Sequence, residues 1–207
     1  MSKSYSIDDI SKIILKNIIL ILVLVVLGMG CLGFYAKHKQ TTTYTASREI
    51  LIGHNLDTVS YKNSQAMADM SMMQTYSELV QDRLVLSKAR KELPKKLQER
   101  YSVSDLESAV DAKPRAGEII LDIHAKVGSA KDAALIVNAV TDATKQELPK
   151  IKAGIGQIQP LSKAYASDVK SQTSPSAKKY AILGFALGAL AGMVIAFVRT
   201  TFKHLVK

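Results

Sequence analysis

The sequence predicts an α+β protein in which two transmembrane helices flank one extracytoplasmic domain, where helices pack on a mixed sheet. The membrane helices are predicted by residues 18–36 and 180–198, which each form a run of 19 residues without a charge. At 1.5 Å per residue such a run spans about 28 Å, close to the thickness of the hydrocarbon core of a bilayer. The domain is predicted by the 143 residues between the runs, where apolar residues recur with helical and strand periods.

Composition and charge support this division. The mean hydropathy is +0.08 although 28 of the 207 residues are Lys or Arg, so the apolar residues are concentrated in blocks. The net charge of +10 divides into +1 in residues 1–16, +6 in residues 37–179 and +3 in residues 199–207. Because scattered lysines are typical of a solvated surface, we expect no nucleic-acid partner.

The segment before the first apolar run has the pattern of a short helix. Ile7, Ile10 and Ile14 recur at helical spacing, with Ser6 as the predicted N-cap and Asp9 as the third helical residue. This predicts an interfacial helix that leads into the membrane. The expected segments are therefore a cytoplasmic or interfacial N-terminal segment (1–16), a first transmembrane helix (17–36), an extracytoplasmic domain (37–179), a second transmembrane helix (180–198) and a cytoplasmic tail (199–207).

The first apolar run is expected to remain as a membrane helix. It is longer than the roughly 7–15 residues of a signal-peptide core, and no A-x-A cleavage site follows it. Cys31, the only cysteine, follows Gly30 as a lipid-acceptor cysteine would, but Gly28 stands where such sites have Leu. We therefore favour Cys31 as a small apolar residue packed in the helix. The lysines that flank the two runs balance, so charge leaves the orientation open.

The second apolar run carries a stripe of small residues. Gly184, Gly188 and Gly192 recur every four residues, which places them on one helix face. In lipid, small residues let helix backbones approach closely. We expect a packing face, against either the first span, which has glycines at 28, 30 and 33, or a neighbouring copy.

The central segment predicts the element order β-α-α-β-β-α-β in one compact domain. Residues 42–52, rich in Thr, Tyr and Ile, predict the first strand. Met, Tyr and Leu at helical spacing over residues 67–93 predict one long or broken helix. Ser104, with Glu107 three residues later, predicts a capping box that opens a short helix through Val110.

The second half of this segment has the clearest patterns. A strand near residues 110–113 and a turn lead into residues 119–127, where apolar and polar residues alternate except at one position. Ser129 is the predicted N-cap of a helix that ends before Pro149. A last strand is predicted near residues 157–164.

The sequence carries no pattern typical of catalysis. It contains no G-x-x-x-x-G-K-[ST] phosphate loop and no G-x-S-x-G nucleophile motif. No group of His, Cys, Asp and Glu has the spacing of a metal site, and the four histidines are isolated in the sequence. We therefore expect neither an enzyme nor a bound metal or cofactor.

Four stretches of the chain resemble motifs of one family. Residues 44–51 are similar to its first strand, and residues 76–86 to its T-Y-x-x-L-x-x-S-R-x-V-L helix, with Asp82 in place of Ser. Residues 133–140 are similar to its A-x-x-I-A-N-A helix, and residues 174–179 to the proline-rich approach to its second span. The family-motif positions are Tyr76, Leu79, Arg83, Asn138 and Pro175.

In this order and spacing, the motifs resemble those of the polysaccharide co-polymerases, the Wzz-type chain-length determinants. The long helical arm of the enterobacterial members is absent, since about 25 residues separate Pro149 from Pro175. The chain is therefore most similar to the short Gram-positive branch, the capsular or exopolysaccharide CpsC/EpsB/CapA-like proteins.

This resemblance implies a membrane protein that regulates capsular polysaccharide or exopolysaccharide biosynthesis and chain length. It implies cytoplasmic termini, a homo-oligomer in the lipid bilayer, and two partners: a polysaccharide polymerase with its lipid-linked glycan, and a tyrosine kinase on a separate chain. It also implies that the C-terminal tail contacts and activates the kinase, with Arg199, Phe202, Lys203, Leu205 and Lys207 as candidate contacts. The basic residues of this tail are equally suited to an anionic leaflet.

Two other functions stay open on the sequence. A two-span membrane scaffold or transporter-accessory protein would have the same spans without kinase control. A glycan-binding module would bind polymer through residues 37–179, and truncation of its tail would change nothing.

Overall fold

The computed structural model describes residues 7–58 and 60–205, and the chain divides into two compact units. One unit contains both ends of the chain, up to residue 41 and from residue 173, and the other contains residues 42–172. The described residues form eight α-helices and one sheet of five strands. The predicted α+β class is confirmed, with an apolar helix before and after the central domain in the sequence.

The unit formed by the chain ends consists of three helices: α1 (Ile7–Lys16), α2 (Ile18–His38) and α8 (Ala177–Leu205). α2 and residues 177–202 of α8 are long and apolar enough to cross a membrane. Many of their large apolar side chains are exposed. Water would be an unfavourable environment for this surface, whereas the hydrocarbon of a bilayer would cover it.

The ends of these helices differ from the sequence prediction. The predicted second span ends at residue 198, but α8 continues through Leu205 because no Gly or Pro interrupts residues 199–205. Most of the predicted tail is therefore helical. Ser6, the predicted N-cap of α1, and Lys207 lie outside the described residues.

The central unit is built on a sheet with the strand order β2-β3-β1-β4, and a fifth strand, β5, also pairs with β1. β1 pairs with β3 along residues 44–51 and with β4 along residues 50–53, both antiparallel. The strands are β1 (Thr41–Gly53), β2 (Val110–Pro114), β3 (Ile120–Val127), β4 (Gln157–Pro160) and β5 (Lys170–Ser174).

The sheet is antiparallel rather than mixed as predicted. β2 and β3 form a hairpin, whose turn is closed by a hydrogen bond of 3.0 Å from the Arg115 amide to the Ile120 carbonyl. Gly117 in this turn has a φ of 75°, a backbone conformation that side chains with a Cβ rarely adopt. A hairpin of this kind requires no crossover helix, which a parallel pair would need.

Helices cover one side of the sheet. They are α3 (Lys62–Val80), α4 (Arg83–Glu92), α5 (Lys95–Arg100), α6 (Val103–Ala109) and α7 (Ala130–Ile151). α3 and α7 pack on the sheet, and α4 packs on α7. The predicted alternation in β3 is confirmed: Leu121, Ile123 and Ala125 are fully buried, whereas the residues between them are partly exposed.

Of the two alternatives predicted for residues 67–93, one long or one broken helix, the structure has the broken one, divided into α3 and α4. Asp82 between them has an extended backbone, with φ −65° and ψ 143°, and caps α4 through a hydrogen bond of 2.8 Å from the Leu84 amide to its carboxylate. α5, which begins after Pro94, was not predicted.

The predicted capping box at Ser104 and Glu107 was wrong by two residues. The N-cap is Ser102, whose hydroxyl accepts a hydrogen bond of 3.2 Å from the Asp105 amide. The Asp105 carboxylate in return accepts from the Ser102 amide at 2.8 Å. Ser102 is extended (φ −72°, ψ 170°), as an N-cap requires, whereas Ser104 lies inside α6.

The ends of α7 and β4 also differ from the prediction. α7 does not stop before Pro149, which lies in its last turn, but ends at Ile151. Because Leu148 is fully buried and its carbonyl accepts from Lys152 at 3.0 Å, core packing outweighs the local effect of the proline. β4 ends at Pro160 rather than near residue 164, and β5 was not predicted because all its side chains are exposed.

The corrected cap of α6 is directly testable. We expect Ser102→Ala to destabilise the protein by about 1 kcal/mol, because it leaves the N-terminal amides of α6 without a side-chain acceptor. Ser104→Ala is the matched control and should change stability by less than about 0.5 kcal/mol. Unfolding of the full chain in detergent, followed by circular dichroism, measures both. A larger loss for Ser104→Ala would restore the cap predicted from the sequence.

Candidate functional site

The predicted glycine stripe of α8 lies against α2 of the same chain. A Cβ placed on Gly188 would lie 2.6 Å from the Leu24 carbonyl oxygen, and one on Gly192 would lie 3.0 Å from the Ile21 Cα. Gly184 and Gly28 approach each other backbone to backbone, with no room for a Cβ on either. Gly28, Gly184 and Gly188 leave no space for a Cβ, and the space at Gly192 is tight, so the two helices pack through their backbones.

The other two glycines of α2 contribute less to this contact. A Cβ on Gly33 would lie 3.6 Å from the Ala181 Cβ, which is ordinary van der Waals contact. For Gly30, no described atom lies within 4 Å of the Cβ position. Of the three glycines of α2, only Gly28 takes part in the close backbone contact.

The kinase-contact candidates lie at the end of α8. Arg199 and Phe202 are exposed, Phe202 by 63%. The backbone of Lys203 and Leu205 continues the helix, which places Arg199 and Lys203 one turn apart on the same face.

A feature that the sequence did not reveal joins this end of α8 to the N-terminal helix. The side-chain amide nitrogen of Asn17, Nδ2, donates to the Ile13 carbonyl at 2.9 Å and to the Thr200 hydroxyl at 3.3 Å. Beside it, Ile13 and Ile14 pack against a small apolar cluster that includes Ala196. α1 and the last turns of α8 therefore form one contiguous surface within this unit.

The first group of motif residues lies at the junction of α3 and α4 in the central unit. Tyr76 is buried, and Leu79 packs against the core. Burial and the nearby charge of Asp69 raise the pKa of the Tyr76 hydroxyl. Arg83 is exposed as the first residue of α4, directly after the capping Asp82. An aspartate therefore performs here the capping that the serine of the family motif can also perform.

Asn138, the motif residue of α7, forms two hydrogen bonds to the loop after β4. Its amide nitrogen donates to the Ala164 carbonyl at 2.9 Å, and its amide oxygen accepts from the Ala164 backbone N–H at 3.0 Å. The two bonds satisfy both polar groups of the side chain and both backbone groups of Ala164. The fifth motif residue, Pro175, lies between β5 and α8 and is not part of this contact.

Arg48 of β1 extends the polar contact around Asn138. Its side chain is 5% exposed and forms an ion pair of 2.8 Å with Asp142, one turn after Asn138 on α7. The guanidinium also donates to the carbonyls of Asn138 and Leu161, each at 3.4 Å. Arg48 was not predicted from the sequence, although its place between Ala46 and Ile50 on the apolar face of a strand is a signal for a buried, partnered cation.

An open groove lies beside this network. It has a volume of about 310 Å³ and is lined by residues 46–49 of β1 and by the loop of residues 161–169. In the sequence this loop lies between β4 and β5, which both pair with β1.

A second buried polar cluster lies where β1 meets α3. The Asp69 carboxylate, which is 6% exposed, accepts from the His54 amide at 2.8 Å and lies 2.8 Å from the His54 Nδ1. Gln65 donates to it at 2.9 Å. Burial alone would raise the pKa of Asp69, but the hydrogen bonds from His54 and Gln65 outweigh it and lower the pKa below its usual value of 3.8.

Neither cluster has the arrangement of a metal site. Among the described residues, no group of three His, Cys, Asp or Glu side chains could hold a metal ion. Asp142 and Asp69 are instead paired with Arg48 and His54, and Arg115 pairs with Glu49 and Asp122 at 2.8 Å each.

Comparison with known proteins agrees with the motifs. Residues 4–93 match the family described as Wzz, chain length determinant protein. The capsular polysaccharide type 5 biosynthesis protein cap5A of Staphylococcus aureus strain Newman is 23% identical over 208 aligned residues, which cover all of this chain and 90% of that protein. The type 8 protein cap8A of Staphylococcus aureus gives the same values.

A third relative extends the comparison. The capsular polysaccharide biosynthesis protein CapA of Staphylococcus aureus strain COL is 21% identical over 207 residues, covering all of this chain and 91% of that protein. The predicted resemblance to Wzz-type proteins and to the CapA-like branch is confirmed. Two apolar helices and this family together fit a membrane protein.

The close contact between α2 and α8 predicts a position-specific effect of side-chain size. Gly184→Leu should destabilise the protein by about 1–3 kcal/mol, because the new side chain forces the backbones apart. Gly30→Leu, in the facing helix, is the matched control and should have little effect, since its Cβ meets no described atom within 4 Å. Thermal unfolding in detergent measures both. Equal losses would indicate that Gly30 packs against another molecule.

The Asp69 cluster predicts a pH dependence of stability. Because the pKa of Asp69 is lower in the folded protein than its usual 3.8, its contribution is present above pH 3.8 and is lost as the pH falls through the folded pKa. Asp69→Asn should lower the free energy of unfolding by about 1–3 kcal/mol at pH 7, since the partners of the buried carboxylate lose one of its two oxygen acceptors. The difference from the unsubstituted protein should shrink below pH 3.8.

Thermal unfolding between pH 3 and pH 7 tests this prediction. Asp57→Asn serves as the control, because the Asp57 side chain is 90% exposed and should show neither effect. A constant difference between Asp69→Asn and the unsubstituted protein across this range would contradict the proposed role of the carboxylate.

Proposed function

We propose, from its likeness to the Wzz chain length determinants, that this protein is a membrane polysaccharide co-polymerase. It regulates the biosynthesis and chain length of a capsular polysaccharide or exopolysaccharide. The observation that carries this proposal is the match of the whole chain to proteins named for capsular polysaccharide biosynthesis. Two apolar helices, one before and one after the α+β unit in the sequence, support it, because they would anchor that unit at the membrane where such polymers are assembled.

In this proposal α2 and α8 cross the membrane and place both termini in the cytoplasm, with residues 37–179 outside. Two spans put both ends on one side, and the family likeness selects the cytoplasmic side. The first 16 residues then lie at the inner surface, where the amphipathic pattern of α1 suits an interface.

The finer part of the proposal concerns a tyrosine kinase on a separate chain. The 207 residues contain no Walker phosphate loop, so nucleotide chemistry would be supplied by a partner. The helical end of α8 offers that partner an exposed aromatic side chain, Phe202, beside the cation Arg199. Lys203, Leu205 and Lys207 complete the proposed contact.

The same residues also suit the anionic inner leaflet. Each of Arg199, Lys203 and Lys207 would gain about 1 kcal/mol near such a surface. The two roles are compatible, since a tail held at the leaflet is also where a membrane-recruited kinase would meet it. Homo-oligomers of the chain would then gather several kinase subunits beside the polymerase and its lipid-linked glycan.

Truncation separates the two parts of this proposal. In cells that lack the gene, we expect polysaccharide of altered length, and the full chain should restore it. A chain that lacks residues 200–207 should leave tyrosine phosphorylation of the kinase at the level of the deletion strain, because the contact residues are gone. Gel analysis of the polysaccharide and an anti-phosphotyrosine blot measure these outcomes.

Point variants serve as the control for the leaflet role. Phe202→Ala should lower phosphorylation more than Arg199→Gln if the helix end docks on the kinase, and less if it mainly binds lipid headgroups. Unchanged phosphorylation after truncation would refute the kinase contact. Unchanged polysaccharide in the deletion strain would instead favour a two-span scaffold or transporter-accessory protein.

A further inference from the structure

We propose that the groove between β1 and residues 161–169 binds a sugar ring of the growing polysaccharide. This inference rests on the proposed function, because that function brings the polymer to the central unit. The groove lies entirely within residues 42–172, and residues of both β1 and the loop contribute to its wall.

The groove is held open by its own anchors. Arg48, 5% exposed, donates from two guanidinium nitrogens to the Leu161 carbonyl at 3.4 Å, and the Leu161 amide donates to the Glu49 carbonyl at 2.9 Å. Ala164, three residues after Leu161, is held by the Asn138 side chain through two hydrogen bonds of 2.9 and 3.0 Å. Because Ala164 and Val169 also pack against the core, the loop is fixed at several points before any ligand binds.

The lining has the chemistry that a sugar requires. Ser162 brings a hydroxyl group, and Asp168 brings a carboxylate that can accept from sugar hydroxyls. Tyr165 lies at the same groove with 63% of its surface exposed, so its ring can cover the apolar C–H face of a pyranose. Hydroxyl-rich edges and apolar faces are what distinguish sugars from most other small polar molecules.

The charges of the groove disfavour a strongly ionic ligand. Arg48 is paired with Asp142, and Glu49 is paired with Arg115 at 2.8 Å. Lys163 and Asp168 are the remaining charged residues of the lining, and their signs cancel. A phosphate or a nucleotide would need a net positive site, whereas a neutral or weakly charged sugar does not.

The size and openness of the groove suit an internal part of a polymer. A volume of about 310 Å³ is near the lower end of ligand pockets, and the groove is open at the side. A polymer can therefore enter sideways, without presenting a free end.

Binding of oligosaccharides to the full chain in detergent tests the proposal. The probe is the surface polysaccharide of the producing cells, cut to short oligosaccharides by mild acid, with thermophoresis as the measurement. We expect Tyr165→Ala to weaken binding at least about tenfold, because the stacking face is lost. Tyr165→Phe should bind like the unsubstituted protein, because it keeps the ring.

Two further variants keep the test decisive. Tyr61→Ala removes a tyrosine that is more exposed than Tyr165, at 80%, and does not line the groove, so it should leave binding unchanged. Ser162→Leu fills the groove without altering its anchors and should reduce binding as Tyr165→Ala does. Thermal unfolding of each variant identifies any that misfolds.

The outcomes distinguish a failure of the glycan-site proposal from a failure of the proposed function. The groove would be overturned as a glycan site if the oligosaccharides fail to bind the unsubstituted protein, or if they bind Tyr165→Ala and Ser162→Leu as tightly as they bind the unsubstituted protein. If the deletion strain nevertheless makes polysaccharide of altered length, the proposed function stands without the groove. If polysaccharide length is unchanged in that strain while the groove variants lose binding, the groove binds glycan but the proposed regulation of chain length fails.

Discussion

The central unit depends on one buried cation. Arg48 points from β1 toward α7, among apolar neighbours, and a charge in that position must find partners. Its ion pair with Asp142 is only half buried, since the Asp142 side chain is 42% exposed, so the carbonyls of Asn138 and Leu161 complete the solvation of the guanidinium. These bonds join the middle strand, the longest helix of the unit and the loop after β4. The position of that loop, and therefore of the groove, follows from the need to satisfy Arg48.

The elements that the sequence predicts are those in which apolar residues recur at the spacing of a helix or a strand. The membrane helices, β1, β3 and most of α7 each bury an apolar face or present one to lipid, and residue spacing predicts them. β5 has no such face, because every residue from Lys170 to Ser174 is exposed, and its only signal is its pairing with β1. Local chemistry was equally ambiguous at α6: Ser102 and Asp105 have the same spacing as Ser104 and Glu107, and only the extended backbone of Ser102 decides between them.

The candidate sites were predictable to different degrees. Helical spacing places Gly184, Gly188 and Gly192 on one face, but the helix that faces them is a matter of tertiary structure. The pair of Arg48 and Asp142 joins residues 94 positions apart, and the bond between Asn17 and Thr200 joins residues 183 apart. No periodicity carries information over such distances. The sequence signal that could have predicted a buried, partnered Arg48 is the unusual position of an arginine on the apolar side of a strand.

The motif residues differ in how strictly their hydrogen bonds restrict the residue type. Asp82 replaces the serine of the family motif, yet its carboxylate still accepts the Leu84 amide and ends α3 where α4 must begin. A cap requires only a short side chain with an acceptor, so several residues satisfy it. Asn138 is more constrained, because it must donate and accept at once to hold Ala164, and the aspartate of the same size would lose the donor. If the proposed function is shared, related proteins should therefore keep asparagine at the position of Asn138, where one side-chain chemistry fits. They should vary at the position of Asp82, where several side chains fit.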